Sequence, residues 1–308
     1  MPDRCNFVRL AALLCLSVAG LVGCGSSAAE EGKANTDGRS GKGTLTVLAA
    51  SSLTDAFGEL ARRFEEQNPG VEVRQSFESS STLLTQMRQG APADVFASAA
   101  GEEMDGAVRD GLVAGEPEVF ARNREVVMVP KNNPAGIGRF RDLAKPGVRL
   151  VLAEEGVPAA DYALKILGRA DGEYGPGYKK DVLSNVVSRE ADVRASVNRV
   201  VVGDADATFG YASDYTPDVR ERVEVIPIPR NLNIIATYPI AALKAAKDSE
   251  LAGEWVELVL SEEGQRVLEK WGLERAAQRR EARLGHPTIG LDHQVGGLNL
   301  CQDPLAYL

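Results

Sequence analysis

Two short stretches carry more hydroxyls than a turn requires. One is A-A-S-S-L-T-D, residues 49–55, and the other is S-S-S-T, residues 79–82. Each stands where an apolar run gives way to a helical pattern. A serine hydroxyl offers an O–H donor that rotates to meet its acceptor. The first turn of a helix adds unpaired N–H groups and the positive end of the helix dipole. Two such turns side by side form a cradle for an anion that needs no lysine or arginine. The same residues also serve as helix caps, a position where Ser and Thr are favoured. A cap uses one hydroxyl per helix, so the surplus at both turns points to a ligand.

Other chemistries are poorly served. Both histidines, His286 and His293, lie near the C-terminus. The body of the chain therefore cannot supply a Ser-His-Asp triad, a Cys-His pair or a histidine-rich transition-metal site. There is no G-x-x-x-x-G-K-[ST] loop, and no G-x-G-x-x-G follows a strand. The carboxylates show no calcium-loop spacing. Two tryptophans, Trp255 and Trp271, are too few for a sugar-stacking platform. The formal net charge of −9 argues against nucleic acid as a partner. It still allows a small anion, because a closed site makes its own local field. No enzyme activity is expected.

The elements that must position the serines follow from periodicity. The chain of 308 residues is 44% hydrophobic and 26% charged, as in globular proteins. Residues 44–49 read as a buried strand. Residues 54–67 read as a helix, with Phe57, Leu60, Ala61 and Phe64 at helical spacing. A strand over 71–77, a helix from Leu83 to a stop at Gly90, and a short strand over 93–97 complete β-α-β-α-β, the pattern of a mostly parallel sheet. A second β/α series starts near Glu125, and residues 232–240 read as an extended return to the first. Helices are expected over 249–260 and 262–271. The fold class is α/β with two lobes, each a mostly parallel sheet flanked by helices, joined by a two-strand hinge. Lobe I is expected over 44–124 and 238–273, and lobe II over 125–237.

The N-terminus reads as a targeting segment. Arg4 and Arg9 precede the apolar run 10–22, which is too short for a comfortable membrane span. L-V-G-C, residues 21–24, resembles the lipobox of bacterial lipoproteins, in which the cysteine is lipidated. Residues 1–23 are thus expected as a signal peptide and Cys24 as the lipidation site. The Gly/Ser/charge-rich stretch 24–43 is expected as a flexible tether. The protein would then sit on the extracytoplasmic face of the plasma membrane, and only Cys301 would remain as a thiol.

Several segments together resemble the periplasmic molybdate-binding proteins of ABC transporters, which have a periplasmic-binding-protein fold. They are A-A-S-S-L-T-D-A-F (49–57), F-E-S-S-S-T-L-L-T-Q-M-R-Q-G-A-P-A-D-V-F-A-S-A (77–99), V-P-A-A-D-Y-A (157–163), A-D-V-R-A-S-V-N-R-V-V-V-G-D-A-D-A-T-F-G-Y-A-S-D (191–214) and S-E-E-G-Q-R-V-L-E-K-W-G-L (261–273). The resemblance covers about residues 44–273. It implies a ligand, molybdate or tungstate, but no cofactor. Ser52 and Ser80 would donate from one lobe, and the backbone N–H groups of Ala159 and Val193 and the phenol of Tyr211 from the other. It also implies permease subunits of an ABC importer as partners, a monomer, and closure of the lobes on the ligand. A deprotonated tetrahedral dianion only accepts hydrogen bonds, so a donor-only pocket suits it and leaves hydrogen phosphate with a donor facing a donor. A receptor for another tetrahedral oxyanion such as sulfate, or a ligand sensor for a signalling receptor, remains open.

Three features depart from the family. Ala160 stands where the family has Gly, which would matter if that residue needed a strained φ. Residues 171–178, D-G-E-Y-G-P-G-Y, look like a longer loop. Residues 274–308 run past the usual end and read as a disordered extension.

Overall fold

The computed structural model describes residues 43–276. The expected signal peptide, Cys24, all of the expected tether but Gly43, both histidines and Cys301 lie outside the described residues. Lobe I opens with β1 (Gly43–Ala50), α1 (Thr54–Gln67), β2 (Val71–Glu78), α2 (Ser80–Arg88), β3 (Val95–Ala97) and α3 (Gly101–Arg109). The long strand β4 (Glu118–Pro130) leads to β5 (Leu150–Ala153), α4 (Pro158–Tyr174), α5 (Tyr178–Ser184), β6 (Val186–Glu190), α6 (Val193–Val201), β7 (Ala207–Tyr211), α7 (Pro217–Arg220) and β8 (Val223–Ile226). The chain returns through β9 (Ile235–Ala242) and ends in α8 (Ser249–Leu260), α9 (Glu262–Lys270) and β10 (Glu274–Arg275).

In lobe I, β1 pairs in parallel with β2 and β3, and β9 runs antiparallel between β3 and β4. In lobe II, β5 pairs in parallel with β6 and β7, and β4 runs antiparallel to β7 and β8. The strands that begin each βα unit are apolar on both faces because helices cover both. Leu45 and Val47 face one core with Phe57, Leu60 and Trp255, while Leu48 faces another with Leu83, Met87 and Phe96. Leu150 and Leu152 likewise pack with Phe140 and Ile166, and Val151 packs with Met128 and Val197.

β4 belongs to both sheets. Asn123 and Arg124 pair with β9, whereas Glu125 pairs with Tyr211 of β7. The strand changes partners between residues 124 and 125. The return crossing lies earlier than the expected 237/238, because Ile235 and Ala236 already pair with lobe I residues of β4. The Asn233 side chain ties the two crossings, donating to the Glu125 carbonyl at 2.8 Å.

Other boundaries also move. Gly43, expected in the tether, begins β1. Residues 171–178 are not a loop: α4 runs on to Tyr174, and only Gly175 (φ 105°) and Gly177 (φ 103°) break the chain before α5. The Tyr174 and Tyr178 rings pack at 5.0 Å and both lie against Phe140, which holds this corner. Glu274 and Arg275, expected in a disordered extension, pair with Arg122 and Ala121 of β4. Arg275 forms ion pairs with Glu262 and Glu269, which fix it to α9.

Lobe I is also locked by Glu59, which is 8% exposed on α1. Its carboxylate accepts from Arg63 on α1, and from Lys270 and the Trp271 indole beside α9. Burial alone would raise its pKa, but those bonds outweigh burial and hold it at about 2. A depressed carboxylate contributes stability above its unfolded pKa, and that contribution fades as pH falls through the folded value. Glu59→Gln is therefore expected to lower Tm at pH 7 by several degrees, taking roughly 2–4 °C per kcal/mol for a domain of this size. The gap between variant and wild type should narrow as the pH falls from about 4.5 towards 2, as read by thermal denaturation at stepped pH.

Candidate functional site

All five residues expected to meet a ligand line one cavity between the lobes: Ser52, Ser80, Ala159, Val193 and Tyr211. Its space for the centres of water-sized spheres is about 10 Å³, the scale of one water molecule. In this closed arrangement it has no room for a sugar or peptide. The lining holds no lysine, arginine or histidine; its one charged residue is Glu78, half-buried at the end of β2.

Ser52 sits in a single 3₁₀ turn, Ser51–Leu53, between β1 and α1, and is 3% exposed. Its hydroxyl lies 2.9 Å from the Tyr238 hydroxyl. Asn123 decides which of the two donates. Its Oδ1 accepts from the Arg124 N–H, so its Nδ2 faces Tyr238 at 3.3 Å and Ser213 at 2.8 Å. Tyr238 therefore accepts from Asn123 and donates to Ser52. Ser52 has its acceptor side occupied and keeps its own O–H for the cavity.

Ser80 reaches the same state by another route. Ser79 is the N-cap of α2 and accepts from the Thr82 N–H at 3.1 Å. The Ser79 hydroxyl also meets those of Ser81 and Thr82, which closes the turn. Ser80, 1% exposed, is left to the cavity. It accepts from the Ala99 N–H at 3.0 Å and retains its O–H.

Two backbone donors come from helix starts in lobe II. Pro158 opens α4 and has no N–H, so Ala159 presents the first one. Asp192 caps α6, and its carboxylate takes the N–H groups of Arg194 (2.7 Å) and Ala195 (3.1 Å). The cap leaves the Val193 N–H for the cavity, where the positive end of the helix dipole adds to its pull. Ala160 is an ordinary residue of α4, and Asn133 is the sole described non-glycine residue with positive φ. Alanine is thus tolerated there without strain.

Tyr211 is 1% exposed, and its hydroxyl has no hydrogen-bond partner among the described residues. Burial holds its phenol far above the ordinary pKa, reinforced by Tyr238 and Glu125 nearby. It remains protonated and able to donate. Its backbone N–H is held at 2.9 Å by Asp214, a fully buried carboxylate. The five groups converge as donors: Ser52 and Ser80 have an accepting side occupied, Ala159 and Val193 offer backbone N–H groups, and the Tyr211 hydroxyl is unpartnered. Sequence reasoning missed Asn123, Tyr238 and Ser213, which set this polarity. Little signal for Asn123 was available, because it stands in the charged stretch R-N-R-E, residues 122–125, of β4.

The profile described as "Bacterial extracellular solute-binding protein" matches residues 45–274. The chain belongs to that family. The "Molybdate-binding protein ModA" of Mycobacterium tuberculosis H37Rv is 37% identical to this solute-binding protein over 255 residues, covering 83% of this chain and 93% of that one. A "Putative ABC transporter substrate-binding lipoprotein YvgL" of Bacillus subtilis is 29% identical, covering 82% and 92%. The solved structure of the Azotobacter vinelandii periplasmic molybdate-binding protein superposes with a TM-score of 0.66, at 18% identity, over 76% of this chain and all of that chain, which shows the shared fold.

The two buried tyrosines separate structural from binding roles. Tyr238→Phe removes two hydrogen bonds worth ~1 kcal/mol each and should lower Tm of the ligand-free protein by several degrees. Tyr211→Phe removes an unpartnered hydroxyl and should leave Tm unchanged or slightly raised. Differential scanning calorimetry checks both.

Proposed function

We propose that the protein is an extracytoplasmic receptor for molybdate, and for tungstate, which it delivers to the permease of an ABC importer. One observation carries this reading: five donors from both lobes converge on a buried cavity that holds no cationic side chain, with the Tyr211 hydroxyl unpartnered. A fully deprotonated tetrahedral dianion accepts at every oxygen and satisfies each donor. Hydrogen phosphate brings a proton that meets another donor, and a buried mismatch costs ~1–3 kcal/mol. Sulfate is acceptor-only but smaller, so the fit of the cavity separates it from molybdate. The 37% identity to the molybdate-binding protein of M. tuberculosis supports the choice of oxyanion.

The protein carries out no chemistry on its ligand; its work is closure and release. Contacts from both lobes make binding and closure one event. The lipobox-like L-V-G-C segment supports a lipid anchor at Cys24, as does the lipoprotein name of the B. subtilis relative. An anchored receptor stays near the permease it serves.

Isothermal titration with molybdate, tungstate, sulfate and phosphate tests the reading. Molybdate and tungstate should bind tightly, sulfate weakly and phosphate not at all; tight sulfate binding without molybdate heat would overturn it. Ser80→Ala should weaken molybdate binding by roughly 10- to 100-fold, the range for one lost bond to a charged group, and lower Tm by a few degrees because the buried Ala99 N–H loses its acceptor. Ser79→Ala should also cost ~1 kcal/mol of stability, through the lost cap, but little affinity, so the affinity distinguishes the two serines. Radiolabelled palmitate should label the wild-type chain in a bacterial host and not Cys24→Ser.

A further inference from the structure

We infer that Arg194 is a clasp between the lobes, a positioning residue that holds the cavity shut over its ligand. The inference rests on the oxyanion reading above. Arg194 follows Val193, whose N–H faces the cavity, on α6 of lobe II. Its Nη2 forms an ion pair with Asp55 on α1 of lobe I, 139 positions away in sequence. Asp55 stands three residues after Ser52. The same guanidinium places its Nε 3.1 Å from Asp214 Oδ1. Asp214 in turn holds the Tyr211 N–H through its other oxygen.

One side chain thus links the segments that carry Ser52, Val193 and Tyr211. The two carboxylates differ in kind. Asp214 is fully buried and lies in the same lobe as Arg194, so their pairing persists when the lobes part. Losing it would strand a buried charge. Asp55 is 32% exposed and lies across the cleft, so its ion pair forms only on closure. Asp214 pre-aims the guanidinium, and Asp55 receives it. The cavity itself holds no cationic side chain, so the clasp adds closing energy beside the donors without taking a place among them.

Asp55→Asn isolates the conditional half, because it leaves Arg194 paired with Asp214. Removing Arg194 is less informative, since the orphaned Asp214 would lower stability. Stopped-flow release and isothermal titration with sodium molybdate on the full chain read the effect. Asp55→Asn should release molybdate about tenfold faster, with association nearly unchanged. Its molybdate-to-sulfate preference and the Tm of the ligand-free protein should match wild type, and Asp55→Glu should restore part of the slow release. Release at the wild-type rate from Asp55→Asn overturns the clasp. An altered oxyanion preference also overturns it, since Asp55 would then act on the ligand directly. If wild type binds sulfate or phosphate in place of molybdate, the molybdate reading falls, and the same comparison with that anion still judges the clasp.

Discussion

The site depends on a constraint of polarity: the hydroxyls and N–H groups that are to hold an anion must donate. Hydroxyls both donate and accept, so their direction has to be set by something that cannot reverse. The Asn123 amide does this for Ser52. Its oxygen is claimed by the Arg124 N–H, its nitrogen must then donate to Tyr238, and Tyr238 must donate onward. A backbone N–H does the same for Ser80 from Ala99. Asn123 and Tyr238 are not among the residues that line the cavity, yet they set the direction of a hydroxyl that is.

The lobes supply the second half of the design. β4 runs through both sheets and changes partners between Arg124 and Glu125, so the relay residue Asn123 stands next to the point where the lobes meet. The strands of lobe I end at the Ser52 and Ser80 turns, and those of lobe II end beside Val157, Asp192 and Tyr211. In open α/β sheets this is the edge where ligands bind. Bringing two such edges together gathers backbone and hydroxyl donors from both lobes around one cavity. It carries an energetic cost while ligand-free, seen in the unpartnered Tyr211 hydroxyl. The Glu59 lock joins α1 to the end of α9 within lobe I and is not among the residues that line the cavity.

The resemblance to known molybdate receptors and the donor geometry rest on different grounds. Sequence similarity identifies the family and points to the oxyanion. The polarity of the cavity explains on physical grounds why a deprotonated dianion fits, and why a protonated one meets a mismatch. The five residues that the resemblance names all line that cavity.

Much of this was legible in the chain. The buried strands, the helical spacing of Phe57, Leu60 and Phe64, and the extra hydroxyls at two turns are local patterns. Local patterns survive in sequence because each depends on residues within a turn or two. The two-lobe order and the five cavity residues could be named from those patterns and the family motifs together. The helix α3 and the strand β6 were not foreseen, nor was the helical corner at residues 171–178, where aromatic packing against Phe140 overrides an apparent run of loop residues. The direction of each hydrogen bond was out of reach as well. Asn123 and Tyr238 are 115 positions apart, and Asp55 and Arg194 are 139 apart. Their pairing follows from which strands lie side by side and how the lobes close. The sequence by itself determined which donors are available; the tertiary structure decided which way they point, because a hydroxyl acquires a direction only from its neighbours in space.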